Sequence, residues 1–66
     1  MCEIKAYMSV AGSEDLIMDD VAVVRQEDGE VVLTDILGQQ KRVAGVISEV
    51  RVMEHKLFVK QPGADR

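Results

Sequence analysis

The sequence predicts an all-β domain, a small antiparallel barrel or sandwich of about six short strands. Three observations predict it. Over much of the chain, apolar and polar residues alternate with the period of two that marks a half-buried strand. Turn-forming residues interrupt these runs at short intervals. The apolar content, 47% of 66 residues, rests mostly on Val with Ile, Leu and Met, and only Tyr7 and Phe58 are aromatic. Val-rich composition suits strands. No segment of helix length competes.

The first expected strand covers residues 2–10. Ile4, Ala6, Met8 and Val10 fall on one face, and Glu3, Lys5, Tyr7 and Ser9 on the other. Residues 11–15 read as a turn or loop broken by Gly12 and Ser13, and residues 16–20 as irregular, although Ser13-Glu14-Asp15 could cap one helical turn. Residues 21–26 form a strand that begins apolar on both faces, which places it centrally. Asp28-Gly29 between two Val-rich runs is a strong hairpin signal. Residues 31–37 return, with Val31 and Leu33 on one face and Val32, Thr34 and Ile36 on the other. After a turn at Gly38-Gln39-Gln40 comes a short strand, 41–44, and then Gly45 as a break or bulge. Residues 46–53 alternate, with Val46, Ser48, Val50 and Val52 opposed to Ile47, Glu49, Arg51 and Met53. Glu54-His55-Lys56 turns the chain into a last strand, 57–60. Residues 1–61 thus read as one β domain, and 62–66, with Pro62 and Gly63, as a flexible tail. An SH3-like or Sm-like barrel fits this spacing.

A chain of 66 residues buries only about 60% of its unfolded surface and has a marginal core. Disulfides, a metal or oligomerisation are the usual remedies. One cysteine cannot form an internal disulfide, which leaves metal or oligomer. The apolar surplus suggests that part of it faces a partner chain. Twelve acidic against eight basic residues give a net charge of −4, the wrong sign for a phosphate-binding surface. Residues 1–10 show no signal-peptide pattern, and no run approaches the ~20 apolar residues of a membrane span. The expected location is the cytoplasm, where a thiol stays reduced.

The single cysteine, Cys2, stands beside the start of the chain. An α-amine, a backbone amide nitrogen and a thiolate lie there on one short covalent path. With Met1 retained, its amine and the Cys2 amide close one five-membered chelate ring, and the amide and the Cys2 sulfur close a second. With Met1 removed, the Cys2 amine and sulfur chelate directly and the Glu3 amide comes next. Either compact N/S donor set suits Ni(II) or Cu(II) better than Mg or Ca. On the opening Met1-Cys2 followed by a strand, in a chain of this size and strand pattern, the sequence resembles the CooT family of small nickel-binding proteins. That resemblance implies a homodimer that binds Ni(II) through Cys2. It also implies a carrier that assists maturation of a nickel enzyme such as carbon monoxide dehydrogenase. If the two N-termini converge, two Cys2 residues could share one ion.

Other residues carry weaker signals. His55 could be a second metal ligand, but its charged turn favours a solvated side chain. Asp19-Asp20 with Glu14 and Asp15 lacks the alternating oxygen ligands and central Gly of a calcium loop. Lys41-Arg42 with Arg51, Lys56 and Lys60 could form a basic strip with Tyr7 and Phe58 to stack bases, but ordinary surface charge is favoured and Phe58 could belong to the core. The alternative reading is therefore a small-barrel RNA-binding or protein-interaction module. No catalytic motif is present, and a chain this small has little room for a substrate pocket. The expectation is a binding protein and not an enzyme, with nucleic acid disfavoured as a partner.

Overall fold

The computed structural model describes residues 3–61. The expectations for Met1, Cys2 and the 62–66 tail lie outside the described residues. Among the described residues six strands form one sheet: β1 (Ile4–Val10), β2 (Ser13–Glu27), β3 (Glu30–Asp35), β4 (Gln40–Ala44), β5 (Val46–Arg51) and β6 (Lys56–Lys60). Their order across the sheet is β4-β3-β2-β1-β6-β5. The two edge strands, β4 and β5, are consecutive in the chain and separated only by Gly45, so the sheet curls on itself. The all-β expectation holds, and the sheet is mixed. Four pairings are antiparallel, but β1 and β6 run parallel. No hairpin joins those two strands, so no local signal fixes their relative direction.

The Asp28-Gly29 hairpin forms as expected. Both residues have positive φ, 43° and 80°, as a two-residue turn matched to strand twist requires. A second hairpin of this kind stands at Ala11-Gly12, with φ 50° and 85°, joining Val10 to Ser13. The expected loop at 11–15 and irregular segment at 16–20 are therefore corrected: from Ser13 onward both belong to the 15-residue β2. Pairing decides this, because Leu16 lies opposite Tyr7 and Met18 opposite Ala6. β2 changes partner at Asp20, whose φ is 51° and beside which the register with β1 shifts. Beyond that bend β2 pairs with β3 along its second half.

β3 ends earlier than its apolar pattern suggests. Asp35 Oδ1 accepts hydrogen bonds from the amides of Leu37 and Gln39, each 2.9 Å. This side-chain-closed turn leaves Ile36 and Leu37 67% and 79% exposed. β5 differs as well. Its register with β6 shifts between Ile47 and Glu49. Ile47 and Val50 therefore lie opposite the core residues Val59 and Leu57, and Glu49 and Arg51 opposite the outer residues Phe58 and Lys56. The extra residue, Ser48, donates its hydroxyl to the Phe58 carbonyl at 3.1 Å. One inserted residue reverses the alternation beyond it, so Val50 and Ile47 share a face that the sequence pattern separates.

The core consists of Ala6, Val21, Val31, Leu33, Leu57 and Val59, with Ile4, Met8, Ile17, Met18, Val24 and Val43 packed against it. Phe58 and Val32 are buried too, but they lie on the opposite face. Phe58 stacks on Tyr7 at 5.6 Å, with the Arg51 guanidinium 5.1 Å from its ring centre. Val32 lies between Arg25 and Arg42, whose stems can cover apolar surface. Gly45 sits where the sheet turns its corner. Its amide donates to the Gly29 carbonyl at 2.9 Å, and a Cβ there would stand 2.5 Å from the Lys60 carbonyl oxygen. Among the described residues no helix is long and apolar enough to cross a membrane.

Candidate metal site

β1 is a central strand, flanked by β2 and β6, and its first residues are anchored from both sides. The Lys5 amide donates to the His55 carbonyl at 3.0 Å. Ile4 lies opposite Val21. The Lys5 ammonium meets Asp19 Oδ1 at 2.9 Å, and that contact raises the lysine's pKa, first through the hydrogen bond and then through charge. The chain therefore enters the sheet at its middle. Whatever precedes Glu3 is covalently tied to a fixed point. Met1 and Cys2, the expected ligands, lie outside the described residues.

The fold brings His55 to the start of β1 through its backbone. The residue is exposed and holds a positive φ of 58°. Sequence separation hides this proximity, because the parallel β1–β6 pairing that creates it has no local signature. Among the described residues no group of three or more His, Cys, Asp and Glu side chains is placed to hold a metal. Several carboxylates are already engaged. Asp19 holds Lys5, and Asp35 closes its turn. Glu27 and Glu30 hold Arg42, and Glu49 and Glu54 hold Arg51. The acidic cluster expected in a loop at 14–20 lies along strand β2 instead.

The basic strip forms only in part. Arg51, Lys56 and Lys60 do share the outer face of β5 and β6 with Tyr7 and Phe58. Lys41 and Arg42 stand apart on β4. Each of the two arginines faces two carboxylates, so its charge is compensated locally. Phe58 is only 4% exposed, so its ring offers no platform for a base.

Known proteins place this geometry. The family described as CO dehydrogenase accessory protein CooT matches residues 1–60. A crystal structure of a protein provisionally assigned as CooT, from Carboxydothermus hydrogenoformans, superposes with a TM-score of 0.82 at 22% identity. That superposition covers 91% of this chain and 97% of the other, a likeness of fold. An uncharacterized protein of Methanocaldococcus jannaschii, MJ1551, is 28% identical over 60 residues, 91% of this chain and 98% of its own length.

Proposed function

Because this chain belongs to the CooT family of CO dehydrogenase accessory proteins, we propose that it is a cytoplasmic nickel carrier, a homodimer that takes up Ni(II) as cargo and yields it to a maturing nickel enzyme such as carbon monoxide dehydrogenase. Cys2 supplies the thiolate, and the N-terminal amine, that of Met1 where it is retained, and adjacent amide nitrogens complete a planar N/S donor set. The observation that carries the reading is the family match, which runs through Met1-Cys2 to residue 60. The anchoring of β1 supports it. β1, which follows these residues in the chain, is central and paired on both sides. RNA binding is the weaker reading, since Arg42 and Arg51, the arginines of the expected basic strip, each meet two neighbouring carboxylates.

The test is a Ni(II) titration of reduced apo protein followed by ultraviolet-visible absorption, with Cys2→Ser in parallel. A thiolate-to-nickel charge-transfer band is expected in the parent and not in the variant. Binding should weaken as pH falls, because thiolate and nitrogens must lose protons to bind. Equal affinity in the two proteins rules out the site.

A further inference from the structure

The two edges of the sheet are unlike. β5 lies at one end of the strand order, with no strand against its outer side among the described residues. An unpaired edge is a template for another strand unless charge, a bulge or a cover blunts it. The beginning of β5 is blunted: the Gln26 side chain accepts the Ile47 amide at 3.0 Å and donates to the Gly45 carbonyl at 3.0 Å. Among the described residues no side chain covers Glu49 or Val50 in this way, and the Arg51 carbonyl accepts the Glu54 amide at 3.2 Å within the turn that follows. Val50 is 51% exposed, and the turn that follows bares Val52 and Met53 at 73% and 93%.

Symmetry selects the partner for this edge. When a strand pairs antiparallel with its own copy about a two-fold axis, residues directly opposite share a face. The axis must then pass through a residue position. Centred on Glu49 or on Arg51, the pairing sets like charges against each other. Centred on Val50, it sets Val50 against Val50, and Glu49 against Arg51 twice, all three charge-complementary or apolar. Glu49 and Arg51 already lie on the same outer face and pair within one chain at 2.8 Å, so across the axis they would alternate in sign. β4, by contrast, places Lys41-Arg42 at its centre, and a pairing centred on either of them sets a cation against its own copy.

We infer that the outer edge of β5 pairs with β5 of a second copy of this chain, antiparallel and centred on Val50, into one continuous sheet. The inference rests on the reading of the chain as a homodimer and not on nickel.

The experiment measures the oligomer by sedimentation equilibrium on full-length, reduced, chelator-treated protein in about 0.1 M salt, where surface charges still act over roughly 10 Å. Glu49→Arg and Arg51→Glu should each raise the dimer dissociation constant by about tenfold or more, because symmetry converts two attractive pairs into two repulsive ones. The double variant should restore it, and the two single variants mixed should form a heterodimer. Glu54→Gln, which removes the other carboxylate on Arg51, should leave association unchanged. Circular dichroism checks that each variant stays folded. A wild-type monomer overturns the homodimer reading and this inference together. A wild-type dimer indifferent to both charge reversals, or a double variant no better than the singles, overturns the edge alone. Such a dimer would be sought at the turns that bare Ile36, Leu37, Val52 and Met53.

Discussion

The edge strands β4 and β5 leave the same residue, Gly45, in opposite directions and are defended differently: β4 by adjacent cations at its centre, β5 only at its beginning, by the Gln26 side chain. β4 presents Lys41 and Arg42. The Lys41 ammonium reaches the Ile17 carbonyl at 3.3 Å, and Arg42 is held by Glu27 and Glu30 at 3.5 and 3.3 Å. β5 and the turn after it contribute Ile47, Val50, Val52 and Met53 to the large hydrophobic residues left exposed, and β4 contributes none. In a chain with a net charge of −4, placing adjacent cations on one edge and apolar residues on the other divides the two by role. Charge on an edge strand discourages stray pairing, and an apolar edge with alternating charges admits one specific partner.

The largest effect is expected at the pivot. Gly45→Ala puts a Cβ 2.5 Å from the Lys60 carbonyl and 2.9 Å from Val59 Cγ1. Backbone and a packed core side chain must both shift. We expect a loss of about 2–3 kcal/mol, read as a lower denaturant midpoint with an unchanged slope. In a domain of this size that is a large share of total stability. A wild-type midpoint would mean that the corner relaxes freely and that the two edges are not held by it.

The next change tests the edges directly. Val50→Lys gives β5 the defence that β4 has, and should yield a folded monomer. Lys41→Val removes that defence from β4, and should add concentration-dependent association beyond the dimer, seen by light scattering. If Val50→Lys stays dimeric and Lys41→Val stays clean, the contrast between the edges is not what controls assembly.

The smallest effect is that of pH. The Arg51 guanidinium, through its hydrogen bond, holds the Glu49 carboxyl below its ordinary pKa of 4.5. A carboxyl depressed on folding stabilises the folded state above its unfolded pKa, and loses that contribution as pH falls through the folded value. The stability difference between the parent and Glu49→Gln should therefore be present above pH 4.5 and shrink in more acid solution. Because the pair is exposed, the difference should also shrink with salt. A difference that grows as the pH falls would reverse the assigned sign.

Much of this was legible in the residues alone. Ile4, Ala6 and Met8 alternate in the sequence and face the core in the fold. Asp28-Gly29 reads as a tight hairpin and is one. What escaped has one cause. The strand nature of residues 16–20 depends on β1, which lies across a hairpin from them. The early end of β3 depends on the Asp35 side chain turning back on Leu37 and Gln39, a contact that apolar patterning does not register. Whether Phe58 is core or a stacking platform is left open by the residues and is decided by Tyr7, a neighbour from the other end of the chain. The candidate site divides in the same way: the Met1-Cys2 donor set is a property of covalent chemistry, whereas the placing of His55 beside the start of β1 is not.

By itself, the sequence determined the strand periodicity, the turns that need positive φ, the apolar excess over what so small a core can hold and the N/S donors at one end. These are local properties, set by backbone dihedrals, side-chain polarity and bonded distance. Tertiary structure alone decided that β1 and β6 run parallel, that β2 bends at Asp20, that one bulged residue reverses the faces of β5, and that Lys41 and Val50 both stand on edges. Each of these depends on which strands meet across the sheet, and the free energy of that choice comes from contacts between residues far apart in the chain.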